Sequence, residues 1–242
     1  MGILNSENDK LSGEDFFLKK VSAVLNDSVI VDVGANIGDY SNKARNFAST
    51  AIIYAFEPHP QTFEKLYLEA TQNKYTALNQ ACSDESGMLK LYDYEDRNNG
   101  SPHASLHREV IETIHKSASK SLEVNVITID EFRENYKIDN IRLLKIDTEG
   151  NELKVLKGAK RTISQQLIDI IHFEFNEMNI VSKVFFKDFY HILNNYSFYR
   201  LLPDGLVYLG EYNPVYYEIF AYQNIIAINK NFLPKVRKML NV

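Results

Sequence analysis

Acidic residues stand in or just after the short apolar runs of this sequence, and one histidine stands among them. Asp32 lies within Val29-Ile30-Val31-Asp32-Val33, Glu57 closes the run Ala51 to Phe56, and Asp147 closes Ile141 to Ile146. Glu149 follows shortly after, and the run Leu167 to Phe175 carries His172 and Glu174. A carboxylate at a strand tip can accept both hydroxyls of a ribose. A carboxylate or imidazole beside a hydroxyl can take its proton, and a group of carboxylates can hold a hard cation such as Mg²⁺.

Between the first two runs stands Gly34-Ala35-Asn36-Ile37-Gly38. Glycine lets the chain turn tightly from a strand into a helix beginning near Asp39, whose first amides are expected to face outward unpaired. Glu57 lies at about the spacing of roughly 20 residues expected in a nucleoside-binding strand-helix-strand unit. A dinucleotide fingerprint starting at Gly34 would need glycines where Asn36 and Asp39 stand, so a pyrophosphate would meet side chains. A nucleoside without phosphates, carrying a cationic centre and an amino-acid tail, suits the loop better. S-adenosylmethionine has that description.

The elements that must position these groups repeat as strand and helix units. Phe17, Val21, Val24 and Leu25 recur at helical spacing over Glu14 to Asn26. Tyr40, Ala44 and Phe47 mark a crossover helix after the glycine turn, and Phe63, Leu66, Tyr67 and Ala70 mark a second, with Pro60 in its first turn. Tyr75 to Cys82 reads as a third strand with a hairpin arm, Gly87 to Tyr92, leaving it. A polar insertion around 93–122 follows, in which Ser105 is placed to cap a helix carrying Leu106, Val110 and Ile114. Val124 to Ile129 reads as a strand and Asp130 as the cap of a short helix. Ile141 to Asp147 and Leu167 to Phe175 read as central strands, with a helix starting at Glu149-Gly150-Asn151-Glu152 between them. Pro203-Asp204-Gly205 turns a late hairpin, and Ile225 to Asn229 is the last strand.

The chain has 242 residues, 45% hydrophobic and 24% charged, with formal net charge -5 and one cysteine, Cys82. That composition fits one α/β domain, 16–242, preceded by a polar arm, 1–15. The acidic balance argues against a nucleic-acid partner, and no apolar run has the length of a membrane span. A lone cysteine cannot form an internal disulfide, so a cytoplasmic location is expected. Met1-Gly2 with Ser6 matches a loose myristoylation pattern that nothing polybasic reinforces.

Taken together, Asp32-Val33-Gly34-Ala35-Asn36-Ile37-Gly38, Phe56-Glu57-Pro58, Leu144 to Glu152, Leu156-Lys157-Gly158-Ala159 and Phe173-Glu174 resemble the FkbM-type family of S-adenosylmethionine-dependent methyltransferases. The resemblance covers about Val29 to Asn229. It implies a Rossmann-like class I methyltransferase fold, a seven-stranded mostly parallel sheet with helices on both faces and a last antiparallel strand. It also implies O-methylation of a small-molecule hydroxyl, often on a sugar or glycan.

On that reading Asp32, Gly34, Asn36 and Gly38 hold the methionine part, Glu57 the ribose, and Pro58 with Ala81, Cys82 and Ser83 the adenine. Asp147 is the first candidate for the base, with Glu174, Glu149 and His172 in support. The same carboxylates could instead hold Mg²⁺, although no metal-ligand spacing favours it. The structural alternatives are that Glu57 and Asp147 cap helices, that Glu149 complements a helix dipole and pairs with Lys145, and that His172 only packs. His103, His107 and His115 lack metal-ligand spacing and read as solvated, and the Tyr and Phe stripes, including Tyr216 and Tyr217, read as packing before a sugar platform. A silent cofactor-binding partner and, more weakly, a nicotinamide oxidoreductase are the competing functions.

Overall fold

The computed structural model describes residues 9–94, 104–114 and 116–242. His103, His115, most of the expected loop from Asp93 and the myristoylation pattern lie outside them. Strands β1 (Val29–Val33), β2 (Ile52–Phe56) and β3 (Thr76–Leu78) alternate with helices: α1 (Asp9–Ser12) and α2 (Glu14–Leu25) precede β1, α3 (Asp39–Phe47) and α4 (Pro60–Asn73) follow. Next come β4 (Ala81–Cys82), β5 (Gly87–Tyr94), a π-helical turn at Val110–Ile114, and β6 (Ser119–Ile127). The second half runs α5 (Ile129–Asn135), β7 (Ile141–Ile146), α6 (Glu152–Lys157), α7 (Lys160–Ser164), β8 (Ile168–Phe175), α8 (Met178–Val181) and α9 (Phe186–Ile192). It ends with β9 (Tyr196–Leu202), β10 (Gly205–Tyr208), α10 (Pro214–Tyr217), β11 (Gln223–Asn229) and α11 (Leu233–Leu240).

The main sheet has eight strands in the order β10-β9-β11-β8-β7-β1-β2-β3. From β3 to β8 the pairing is parallel, and β11 enters antiparallel between β8 and β9. Seven of these strands are the expected mostly parallel sheet, and β10 adds an eighth at the edge through the Pro203-Asp204-Gly205 turn. Each face is covered. Alternation sends Ile30, Leu143, Ile170 and Ile226 towards α2, α3 and α11, and sends Val31, Leu144, Ile171 and Phe173 towards α5, α6, α7 and α9.

Three local expectations are corrected. The run Tyr75 to Cys82 is not one strand, because Asn79 donates through Nδ2 to the carbonyls of Glu57 and Pro58 and turns the chain out of the sheet. Ala81 and Cys82 then pair with Val126 and Ile127 in a separate three-stranded sheet, β4-β6-β5. Thr128, not Asp130, caps α5 by accepting from the Glu131 amide, while Asp130 accepts from the amides of Arg161 and Thr162 at α7. Ser105 caps no α-helix; it bridges to Tyr92, and its hydroxyl donates to the Glu149 carbonyl at 2.8 Å.

Asp9–Ser12 is helical, and α2 begins at Glu14, where the helical spacing over Glu14 to Asn26 places it. Glu14 Oε1 comes within 3.9 Å of the buried Lys145 Nζ. Residues assigned to the arm therefore enter the electrostatics of the sheet.

Candidate active site

Parallel pairing aligns β1, β2, β7 and β8, so Gly34, Glu57, Asp147 and Asn176 leave the sheet at one rim. A cleft with about 540 Å³ of empty space opens there, lined by Val33, Gly34, Asn36, Glu57, Pro58, Gln80, Ala81, Cys82, Leu91, Ala104, Leu106, Asp147, Thr148, Glu149 and Asn151. Gly34, Asn36, Glu57, Pro58, Ala81 and Cys82 stand in its wall, as do Asp147 and Glu149. Asp32, Gly38, Ser83, Glu174 and His172 do not.

The glycine loop is not a row of free amides. Gly34 and Ala35 donate to the Phe56 carbonyl at 3.0 and 2.8 Å, Asn36 donates to Glu57 Oε2 at 3.0 Å, and Gly38 donates to the Ala35 carbonyl at 2.8 Å. A loop whose donors are spent on its own sheet is a poor phosphate cradle. Gly34 is also required by the protein itself. Its φ is +81°, and a Cβ would sit 1.7 Å from the Asp147 carbonyl oxygen, so glycine is what lets β1 and β7 close together at the rim.

Glu57 carries the clearest ligand geometry. Its Oε1 accepts from the His59 amide at 2.8 Å and its Oε2 from Asn36, which fixes the carboxylate at the cleft wall. Burial outweighs those two hydrogen bonds and raises its pKa to about 7. Hydroxyls donated to the ionised carboxylate would oppose that shift. A ribose-bearing ligand is therefore expected to bind with release of a proton, its affinity rising about tenfold per pH unit up to roughly pH 7 and levelling above. Calorimetry from pH 5.5 to 8 with S-adenosylhomocysteine as a ribose-bearing probe checks this, and Glu57→Gln should weaken binding and flatten the slope.

Beneath the rim, parallel register places Asp32, Lys145 and His172 side by side on β1, β7 and β8. All three are buried under the α2 and α3 side of the sheet. His172 bonds the Tyr40 hydroxyl through Nδ1 at 3.2 Å and Asn224 Oδ1 through Nε2 at 2.9 Å, and burial holds its pKa well below the usual imidazole value. It cannot meet a substrate, which removes it from the candidate bases. Asp32 accepts from Ser41 Oγ at 2.6 Å and ties α3 to β1; burial raises its pKa to about 6. Its role is beneath the loop rather than in the cleft.

Lys145 is the hub that sequence reading treated as an interruption. Its ammonium lies 3.0 Å from Asp147 Oδ2, and the pairing expected with Glu149 is made with Asp147 instead. Burial opposes the charge, but Asp147, Glu14, Glu174 and Asp32 outweigh it and raise the Lys145 pKa. The lysine side chain is 2% exposed and that of Asp147 38% exposed. Asp147 is thus a carboxylate presented to the cleft by a buried cation.

Glu174 is buried next to it, with Tyr222 donating to Oε1 at 2.7 Å. Burial first, and the Asp147 charge second, push its pKa well up, and it stands outside the cleft lining. The helix-start role expected of Glu149 belongs to Glu152, whose Oε1 accepts from the amides of Thr148 and Gly150 and from the Thr148 hydroxyl. Glu149 lines the cleft in a left-handed conformation at φ 53°.

Asn151 is a site residue that the sequence did not single out. It is 1% exposed, donates to the Cys82 carbonyl at 3.0 Å, and its Oδ1 in the cleft wall has no hydrogen-bond partner among the described residues. No residue-type signal distinguishes it from other helix-start asparagines. The aromatic stripes pack: Tyr217 is buried against Phe186 and donates to the Gly210 carbonyl, while Tyr216 is exposed. Among the described residues, no group of three or more His, Cys, Asp or Glu is arranged to hold a metal ion. None of their helices is long and apolar enough to cross a membrane.

A family model described as the Methyltransferase FkbM domain matches residues 32–198, from the glycine loop through β8 into β9. The chain belongs to the FkbM methyltransferase family. Among curated relatives it is 32% identical over 140 residues to the hexuronic acid methyltransferase AglP of Haloferax volcanii, covering 57% of this chain and 52% of that protein. It is 28% identical over 154 residues to the 31-O-demethyl-FK506 methyltransferase FkbM of Streptomyces tacrolimicus, covering 54% and 59%. The chain thus spans a little over half the length of these relatives. The crystal structure of the methyltransferase FkbM from Methylobacillus flagellatus aligns with TM-score 0.50 at 14% identity, over 84% of this chain and 43% of that one, and shows the shared fold. The matched segment contains Asp32, the glycine loop, Glu57, Asp147 and Glu174.

Proposed function

We propose that this chain is an S-adenosylmethionine-dependent O-methyltransferase acting on a hydroxyl of a sugar or similar small polyhydroxylated molecule. The observation that carries the reading is the cleft itself. One wall offers a ribose-accepting carboxylate, Glu57, beside a loop whose Gly34, Ala35, Asn36 and Gly38 amides are already bonded, and the other offers a carboxylate, Asp147, at the neighbouring strand end. The cofactor fits this donor set. Pro58, Ala81, Cys82, Leu91 and Leu106 supply an apolar wall for a base, and the unpartnered Oδ1 of Asn151 supplies an acceptor for an N–H such as an exocyclic amine. The names of the relatives, a hexuronic acid methyltransferase and a 31-O-demethyl-FK506 methyltransferase, support a hydroxylated acceptor.

When bound, S-adenosylmethionine supplies a methyl carbon activated by positive sulfur. The chain must align the acceptor oxygen and remove its proton. Asp147 takes the proton, and the buried Lys145 ammonium, 3.0 Å from its Oδ2, positions that carboxylate at the strand end. Glu57, Asn36 and Pro58 hold the cofactor end.

S-adenosylhomocysteine is expected to raise the melting temperature in a thermal-shift assay, because a ligand that binds only the native state stabilises it by mass action. NAD should leave it unchanged. Stabilisation by NAD and not by S-adenosylhomocysteine would end the methyltransferase reading.

A further inference from the structure

A second cavity adjoins the cleft across the turn Glu149-Gly150-Asn151: Glu149 and Asn151 line the cleft, whereas Gly150 lines the cavity. It holds about 630 Å³ of empty space, open to solvent. Lys154, Lys157 and Lys183 converge on it with His107 and Ser182. Lys154 and Lys157 stand three apart on α6 and so share a face, while Lys183 comes from the loop after α8.

Two features make this surface unlike an ordinary basic patch. The first is charge: in a chain with formal net charge -5, three lysines share one concavity, and none of them makes an ion pair with another described residue. The carboxylate in the wall, Asp188, is engaged elsewhere, its Oδ2 accepting from the Phe185 amide at 2.9 Å. The second is His107. Its Nε2 is buried and has no hydrogen-bond partner among the described residues, although the ring lines the cavity. Burial, and then Lys154, lower its pKa, against the Glu109 charge and the Gly150 carbonyl. Clustered cations beside an unsatisfied ring nitrogen are stabilised by an anion, which offsets the mutual repulsion of the lysines and accepts from an imidazolium. His107 is therefore not the solvated surface histidine its sequence context suggests.

We propose that this cavity binds an anionic group of the acceptor, a carboxylate or a phosphate, and so holds a neighbouring hydroxyl at the Asp147 rim. The proposal rests on the methyltransferase reading and names the acceptor class, an acidic sugar or a sugar phosphate. Gly150 is the joint between the two spaces, which puts an anchored acceptor one turn of chain from the group that takes its proton.

The test follows the His107 ring resonances by NMR on the full chain at fixed ionic strength, with glucuronate, inorganic phosphate and glucose as probes. Saturable shifts and a raised His107 titration midpoint are expected with glucuronate or phosphate, and none with glucose. The stronger of the two anions identifies the group. The triple variant Lys154→Ala, Lys157→Ala, Lys183→Ala should bind the anion at least tenfold more weakly while its calorimetric affinity for S-adenosylhomocysteine stays within twofold, and the corresponding triple arginine variant should retain anion binding. All three lysines are exposed, so the variants are expected to fold. An unperturbed His107, or equal anion binding by the triple alanine variant, overturns the proposal. S-adenosylhomocysteine binding without anion binding overturns it alone. Anion binding by a chain that does not bind S-adenosylhomocysteine overturns the acceptor assignment together with the methyltransferase reading.

Discussion

Asp147→Asn should lower the turnover of methyl transfer by about 10²- to 10⁴-fold while leaving the fold and the affinity for S-adenosylhomocysteine nearly unchanged. The amide keeps the shape of the carboxylate and can still accept from Lys145 Nζ, now 3.0 Å from Asp147 Oδ2, but it cannot take the acceptor's proton. The measurement is formation of the demethylated cofactor on the best substrate from a panel of uronic acids, sugar phosphates and neutral glycans. Turnover equal to the parent would make Asp147 a cofactor or structural group. If the parent loses activity with a chelator and recovers it with Mg²⁺, Asp147 is a ligand rather than the base. Glu174 is a poor substitute in either case, because it is buried and stands outside the cleft lining.

Lys145→Met should cost about 3–5 kcal/mol of stability, because removing one partner of a buried ionic cluster leaves the others uncompensated. Asp32 and Glu174 are buried beside it, and Glu14 and Asp147 lie within ion-pair distance. In a domain of this length that loss corresponds to a fall in melting temperature on the order of 10 °C. The sign of its pH dependence follows from the carboxylates. Burial sets the folded pKa of Asp32 near 6 and that of Glu174 well above the usual range, and losing the ammonium raises both further. A carboxylate whose folded pKa exceeds its unfolded value destabilises the fold increasingly as pH rises through that interval. The variant should therefore lose more stability at pH 8 than at pH 5, where protons replace the missing cation. Thermal melts of parent and variant across this range measure it, and an equal loss at both ends would contradict the network.

What the sequence made legible follows from which interactions are local. The strands at Val29–Val33, Ile52–Phe56 and Ile141–Ile146 are short β-branched runs buried on both faces, and such runs announce themselves. The position of Glu57 at the rim was legible because its distance along the chain from the glycine loop reflects one helix of fixed rise. His172 was misplaced because alternation tells which residues share a face, not which layer covers that face; here α2 and α3 seal it. The Lys145 network was invisible because its members come from α2, β1, β7 and β8 and meet only through parallel register. Gly34 was read as a turn glycine, and the sequence could not show that the Asp147 carbonyl of a distant strand approaches it. The third strand was read as one run because hydropathy does not show that Asn79 bonds back to the Glu57 and Pro58 carbonyls.

The central claim is that the rim at Gly34, Glu57 and Asp147 is where the methyl donor sits. A crystal structure with S-adenosylhomocysteine tests it most directly. The ribose is expected at Glu57, the adenine between Pro58 and the Ala81-Cys82 strand, and the sulfur facing Asp147. A ligand bound elsewhere, or one in the cleft with its ribose away from Glu57 and its sulfur away from Asp147, would contradict it.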